Sequence, residues 1–297
     1  MKILYEDLQN PAKTTIRIEG VEQKVKLMHI TDSHFVRCDE RDLEARQSTE
    51  KYQEMFQALT PDGAPPLKVF KEALERSKAV GAECTVLTGD IIHFPSLAGL
   101  DAVEEGLKGL GTPYLYTLGN HDWFFPYLEW SDEVRASFYP RFHHLTRGNP
   151  ACQVVEVGGL RLVALDNSNY QVSQEQLDFL QQQLQSGQPC LLFIHIPLYT
   201  PALAPAVLER WEAPIMLGSS AGWTAAGRER FKARENDAST IACHQLLTSG
   251  AVENLAGVFC GHVHFAHAGE FSPGRFQYVT RPCFEGGYRT IEIGPCS

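Results

Sequence analysis

Gly119-Asn120-His121-Asp122 closes the apolar run 113–118 and puts three polar side chains in succession at what reads as the end of a buried strand. Buried polar groups need partners, so packing is a poor account of this cluster. An amide offers a neutral oxygen to a metal, an imidazole offers a proton near neutral pH, and a carboxylate can hold that imidazole in one tautomer. Four other blocks share the shape of an apolar run followed by ligand-type residues. They are Leu27-Met28-His29-Ile30-Thr31-Asp32-Ser33-His34, Thr85-Val86-Leu87-Thr88-Gly89-Asp90, Leu191-Leu192-Phe193-Ile194-His195 and Gly257-Val258-Phe259-Cys260-Gly261-His262-Val263-His264. The donors are two carboxylates (Asp32, Asp90), one amide (Asn120) and four imidazoles (His34, His195, His262, His264). Mixed nitrogen and oxygen donors suit Mn, Fe, Zn, Co or Ni. They are too many for one ion with an open position, whereas two ions sharing a carboxylate use them all. Asp32/His34 and His262/His264 are i, i+2 pairs, which point to one side of an extended chain. Gly89, Gly119 and Gly261 permit tight turns beside the ions.

In chain order these blocks spell D-x-H, GD, GNHD, H and GHxH, and the set resembles the signature of the calcineurin-like metallophosphoesterases over about residues 26–265. The resemblance implies an α/β fold of two stacked mixed β-sheets flanked by helices, with metals at the strand ends between them. It implies that Asp32, His34, Asp90 and His264 hold one ion, and that Asp90, Asn120, His195 and His262 hold the other, with Asp90 as the bridge. Two such ions, about 3.5–4 Å apart, bind a water between them and lower its pKa, and the hydroxide attacks phosphorus in line. His121, next to a ligand without being one, is then the donor to the leaving oxygen, with Asp122 orienting it. The block spacing also resembles the class III cyclic nucleotide phosphodiesterases, so a small phosphodiester or monoester is the expected substrate. His93 stands three past Asp90, where the purple acid phosphatase branch carries an iron-binding tyrosine; the sequence departs from that branch there, and a role for His93 is left open.

Other residues carry a plainer reading. A histidine is more often a hydrogen-bonded structural residue than a ligand, and His29, His143, His144, His244 and His267 are read so. Asp166-Asn167, at the end of a strand, fits either a support behind the ligands or a simple turn and is read as the turn, and Arg228, Arg230, Lys232 and Arg234 are read as a solvated helix face. The aromatic stretch Trp123–Trp130 serves equally as core or as substrate wall. The net charge of −10 repels polyanions and counts against a nuclease on the same metal core. A scaffold that had abandoned catalysis would be expected to have lost ligands or His121, and all are present.

Elements must bring these blocks together. The 297 residues suffice for one large α/β domain. The first half alternates strand and helix (84–88 and 113–118 as strands, 67–80 and 96–110 as helices), which predicts parallel strands with ligands beyond their carboxyl ends. A helix is expected within 37–60, a hairpin turning at Gly158-Gly159, a helix capped by Ser173 and Gln176, a helix over 240–256 and closing strands at 276–280 and 288–293. Segments 123–150 and 197–240 look irregular and are expected to cap the metal site within a single domain. No apolar run approaches the roughly 18 residues that span a bilayer, and Glu6-Asp7 stands where a signal peptide needs its apolar core. With that, Cys38, Cys84, Cys152, Cys190, Cys243, Cys260, Cys283 and Cys296 are expected as free thiols of a cytoplasmic protein.

Overall fold

The computed structural model describes residues 1–296. In chain order the strands are β1 (Ile3–Glu6), β2 (Lys13–Ile18), β3 (Val25–Ile30), β4 (Cys84–Thr88), β5 (Tyr114–Thr117), β6 (Cys152–Val157), β7 (Leu160–Leu165), β8 (Cys190–Phe193), β9 (Leu255–Cys260), β10 (His267–Ser272), β11 (Arg275–Val279) and β12 (Arg289–Pro295). The helices are α1 (Arg46–Gln57), α2 (Pro66–Ala79), α3 (Leu97–Lys108), α4 (Asp132–Phe142), α5 (Gln174–Leu184), α6 (Ala204–Trp211), α7 (Ala225–Phe231) and α8 (Ala238–Thr248). The strands form two six-stranded sheets, ordered β1-β2-β12-β3-β4-β5 and β10-β11-β9-β8-β7-β6. Both are mixed: β3, β4 and β5 run parallel, as do β7, β8, β9 and β11, while β1, β6 and β10 join by antiparallel pairing.

The central strands are buried on both faces, which is why they read as unbroken apolar runs rather than as alternation. Leu27, Val86, Leu115, Leu191 and Phe259 face the core between the sheets. Their neighbours Met28, Leu87 and Tyr116 pack under α2 and α3, and Leu192 and Val258 pack on the other side against α5 and α8. Ser96 caps α3, and Ser173 with Gln176 forms the reciprocal capping box of α5. Because β3, β4, β5, β8 and β9 all point the same way within their sheets, their carboxyl ends gather at one edge of the sandwich, and all five motif blocks follow those ends.

Several elements differ from the sequence expectation. The stretch expected as one helix within 37–60 is a 3₁₀ segment, Glu40–Ala45, followed by α1. Asp42 leaves helical geometry because its carboxylate serves distant partners, the Leu97 N–H and the Arg141 guanidinium. Segment 123–150 contains α4, whose Val134, Phe138 and Phe142 pack against the core beside α3 despite Pro140 inside the helix. Polar contacts add to this: Arg135 and Tyr139 reach the fully buried Asp166, at 3.1 and 2.6 Å. Segment 197–240 contains α6 and α7, both short, and both ended by a non-glycine residue in the left-handed region, Glu212 and Lys232, so the usual glycine stop is missing. Strand β10 (His-Ala-Gly-Glu-Phe-Ser) lacks β-branched residues and pairs only at the sheet edge. All eight cysteines are free. Among the described residues no helix is long and apolar enough to cross a membrane.

Candidate metal centre

Five of the seven ligand-type residues stand on backbone that few side chains adopt. Asp32, His34, Asp90, His262 and His264 have φ between 45° and 71°. Aspartate and histidine tolerate this left-handed region better than most residues. It turns each chain sharply as it leaves its strand, so that consecutive donors face inward. Two close approaches complete the edge: a Cβ at Gly119 would strike Asp90, and one at Gly261 would strike Thr31 and Asp32.

The donor atoms converge. His34 Nε2 lies 3.2 Å from His264 Nε2 and 3.5 Å from Asp90 Oδ2. His195 Nε2 lies 3.2 Å from each of Asp90 Oδ2, Asn120 Oδ1 and His262 Nδ1. His264 Nε2 is 3.4 Å from Asp32 Oδ1. Donors about 2.1 Å from a common ion are separated from one another by about 3.0–3.4 Å, so these spacings fit metal coordination. Asp32, His34 and His264 form one group able to hold an ion, and Asp90, His195 and His262 form another.

The remaining ring nitrogens show which tautomers are set. His195 Nδ1 donates to the Thr88 carbonyl at 2.7 Å, which leaves Nε2 free as a ligand. His262 points Nδ1 inward and its Nε2 meets the Tyr170 hydroxyl at 3.0 Å. His34 turns its second nitrogen to His93 Nδ1, 3.0 Å away, and with Nε2 reserved for an ion the His34 Nδ1–H is the donor. Burial works against the charged form of Asp90, but the imidazoles of His195, His121 and His34 outweigh it and hold the carboxyl well below its usual range. Asp32 is likewise held low against its burial by hydrogen bonds from His264 and His34. Burial pulls His34, His93 and His262 down, favouring the neutral rings that bind metals. His195 is the exception: the Asp90 charge overcomes burial and raises it to about 9.

His121 borders the same cleft, with its backbone N–H on Asp90 Oδ1 at 2.8 Å. Its ring stacks on His93 at 4.1 Å and 19°, so His93, left open by the sequence, contacts a ligand and the proton-donor candidate together. His93→Phe keeps the stacked ring and removes the nitrogen facing His34. Metal affinity is expected to fall about 10- to 100-fold, read by titration with manganese, with little change in melting temperature.

Asp122 is placed differently from the expectation. Its two oxygens accept the backbone N–H groups of Gly119, Asp90 and Ile92, at 2.8, 2.9 and 3.1 Å, and do not meet the His121 ring. It ties two ligand turns together and orients backbone rather than imidazole. Asp122→Ala is therefore expected to cost about 3 kcal/mol of stability by orphaning buried N–H groups, measured by denaturant unfolding of the metal-free protein. A folded-state stability equal to wild type would return Asp122 to a catalytic role. Asp166-Asn167, expected as a simple turn, also supports the site: Asn167 Oδ1 accepts the N–H groups of His195 and Ile196 at 3.1 and 3.0 Å. Tyr170 carries no sequence signal, since it belongs to no motif block, whereas Asn167 fulfils the supporting role that the sequence offered as the alternative to a turn. The aromatic stretch divides: Trp123 and Phe125 are buried, while Phe124 and Trp130 line the cleft with Tyr170, Trp211 and Phe231. His29, read as structural, sits buried between the hydroxyls of Thr280 and Thr88.

Two stacked mixed sheets with helices outside and a nest of carboxylate, amide and imidazole donors at their shared edge define an α/β sandwich with a candidate metal centre. Residues 25–266 match the profile of the calcineurin-like phosphoesterases, and the chain belongs to that family, as a hydrolase of phosphoric ester bonds. No curated protein matches it in sequence. Among solved structures it is similar in fold to a dimetal phosphatase from Danio rerio (14% identity, 90% of this chain and 91% of that one, TM-score 0.56). It is also similar to the purple acid phosphatase PPD1 from yellow lupin, Lupinus luteus, seeds (13% identity, 92% of this chain and 46% of that one, TM-score 0.50).

Proposed function

We propose that the chain is a dinuclear metal-dependent phosphoesterase acting on a small phosphodiester or phosphomonoester. Asp32, His34, Asp90 and His264 would hold one ion and Asp90, Asn120, His195 and His262 the other, with manganese, iron or zinc as the metals this donor set suits. The observation that carries the reading is the placement of Asp90: one buried carboxylate lies 3.5 Å from a nitrogen of the first group and 3.2 Å from a nitrogen of the second. When bound, the ions supply charge neutralisation at phosphorus and an activated water.

The chain's own residues do the rest. The Thr88 carbonyl fixes the tautomer of His195, and Tyr170 and His93 hold the rings of His262 and His34 in place. Asn167 and Asp122 fix the backbone that presents His195, Asp90 and Asn120. Phe124, Trp130, Trp211 and Phe231 narrow the approach to a cleft of about 300 Å³, a volume that suits a small ester, and shed water from it. His121 donates to the departing oxygen. Burial, opposed by Asp90, pulls its imidazole down to about 4. The anionic phosphate ester in the cleft works the other way and favours the imidazolium that the leaving oxygen needs.

Support for a small substrate over a nucleic acid comes from the cleft size and the net charge of −10. The test is a panel on manganese-loaded protein: cyclic nucleotides, aryl monoesters and diesters, nucleotide sugars, phospholipid head groups and short oligonucleotides. Turnover of small esters above oligonucleotides is expected. Turnover of oligonucleotides alone would establish the nuclease reading instead, and turnover of nothing would refute hydrolysis.

A further inference from the structure

Four basic residues near the end of α7 meet different fates. Arg228 lies over the Trp223 ring at 5.5 Å, and Arg234 pairs with Asp132 and Asp237 at 3.2 and 2.7 Å. Arg230 and Lys232 are both exposed, line the cleft that holds Asp90, Asn120, His121, His262 and His264, and form no ion pair among the described residues; Arg230 lies over the ring of its neighbour Phe231 at 4.8 Å. In a protein of net charge −10, two exposed cations without a carboxylate partner at the mouth of a phosphoester cleft present a local positive field to an incoming anion.

Their position is set by packing. Trp211, at the end of α6, donates its indole N–H to the Val263 carbonyl at 2.9 Å, inside the block that carries His262 and His264. Its ring also lies edge-on against His264 at 5.5 Å. Phe231 packs edge-on against Trp211 at 6.2 Å and stands between Arg230 and Lys232 in sequence. Lys232 holds the left-handed cap of α7, its N–H bonded to the carbonyls of Arg228 and Glu229. The aromatic pair thus ties the two cations to the ligand loop. Phe124 and Trp130, 5.0 Å apart, line the same cleft from another segment.

We propose that Arg230 and Lys232 bind a second phosphate group of the substrate, carried beside the scissile one on a molecule whose planar ring rests among the cleft aromatics. The assignment rests on the phosphoesterase reading above and narrows it: the substrate class is a nucleotide-like ester with two phosphates rather than a cyclic nucleotide with one. Two charge-assisted contacts to one phosphate suffice for about tenfold or more in selectivity.

The experiment compares ADP, adenosine 3′,5′-bisphosphate and AMP as substrates of manganese-loaded wild type, Arg230→Ala/Lys232→Ala and Arg234→Ala, by phosphate release. With ADP, water adds to the terminal phosphorus, the P–O–P bond breaks and the departing AMP oxygen takes the proton. Preference for a two-phosphate substrate over AMP, measured as the ratio of kcat/KM values, is expected to fall about tenfold or more in the double variant, chiefly through KM. Arg234→Ala is expected to keep the wild-type ratio. The ADP and bisphosphate arms tell a diphosphate from two separate phosphates. Intrinsic tryptophan fluorescence of the metal-free protein, titrated with ADP and with adenosine, gives a readout independent of turnover: ADP is expected to bind more tightly, and the difference to vanish in the double variant. An unchanged ratio in an active double variant, or equal binding of ADP and adenosine by wild type, overturns the inference and leaves the phosphoesterase reading standing. A wild type that hydrolyses no ester but still distinguishes ADP from adenosine refutes that reading and supports the binding site.

Discussion

Asp90→Asn is expected to lower turnover on the order of 10³-fold or more, with both ions lost or weakened together. Asp90 Oδ2 faces nitrogens of both ligand groups, and Oδ1 holds the His121 backbone N–H at 2.8 Å. An amide there offers one oxygen and turns two N–H donors toward positions that need lone pairs. It also removes the charge that raises His195 to about 9, the same charge that imidazoles on both sides hold ionised. Metal analysis of the purified variant decides the matter. Two full equivalents of tightly held ion in Asp90→Asn would refute the bridge, whatever the activity.

His121→Ala is expected to leave metal content intact while hydrolysis of an alkyl ester falls by about 10²- to 10⁴-fold. An ester with a nitrophenyl leaving group, which departs without help, should lose far less. His121 contributes only its backbone N–H to Asp90, and alanine retains that bond. The His93 ring loses its stacked neighbour, so the variant's melting temperature belongs beside the kinetics. Equal losses on both esters would show that the ring positions substrate instead of delivering a proton.

Much of the centre was legible in the chain because its chemistry depends on residue type at short range. Asp32/His34 and His262/His264 announce themselves by spacing, and the central strands by runs apolar on both faces. What could not be read depends on partners far away in sequence. Tyr170 matters through a hydroxyl on His262, 92 residues later, and Asn167 through its amide on the N–H of His195, 28 residues on. Asp122 looked like a companion of its neighbour His121 because adjacency is visible in a sequence, while its bonds to Asp90 and Ile92 across the sheet are not. Helix α4 hid because Pro140, ordinarily a helix breaker, stands inside it, and α7 because a lysine performs the turn usually given to glycine. The charged stretch ending α7 looked like a solvated face for the same reason: only the clamp of Trp211 on Val263 brings Arg230 and Lys232 to the cleft.

The left-handed turns at Asp32, His34, Asp90, His262 and His264 put five donors on backbone that strains most other side chains. Replacing any of them with a β-branched residue therefore penalises the protein twice: the donor atom is lost, and the bend that aims its neighbours is strained as well.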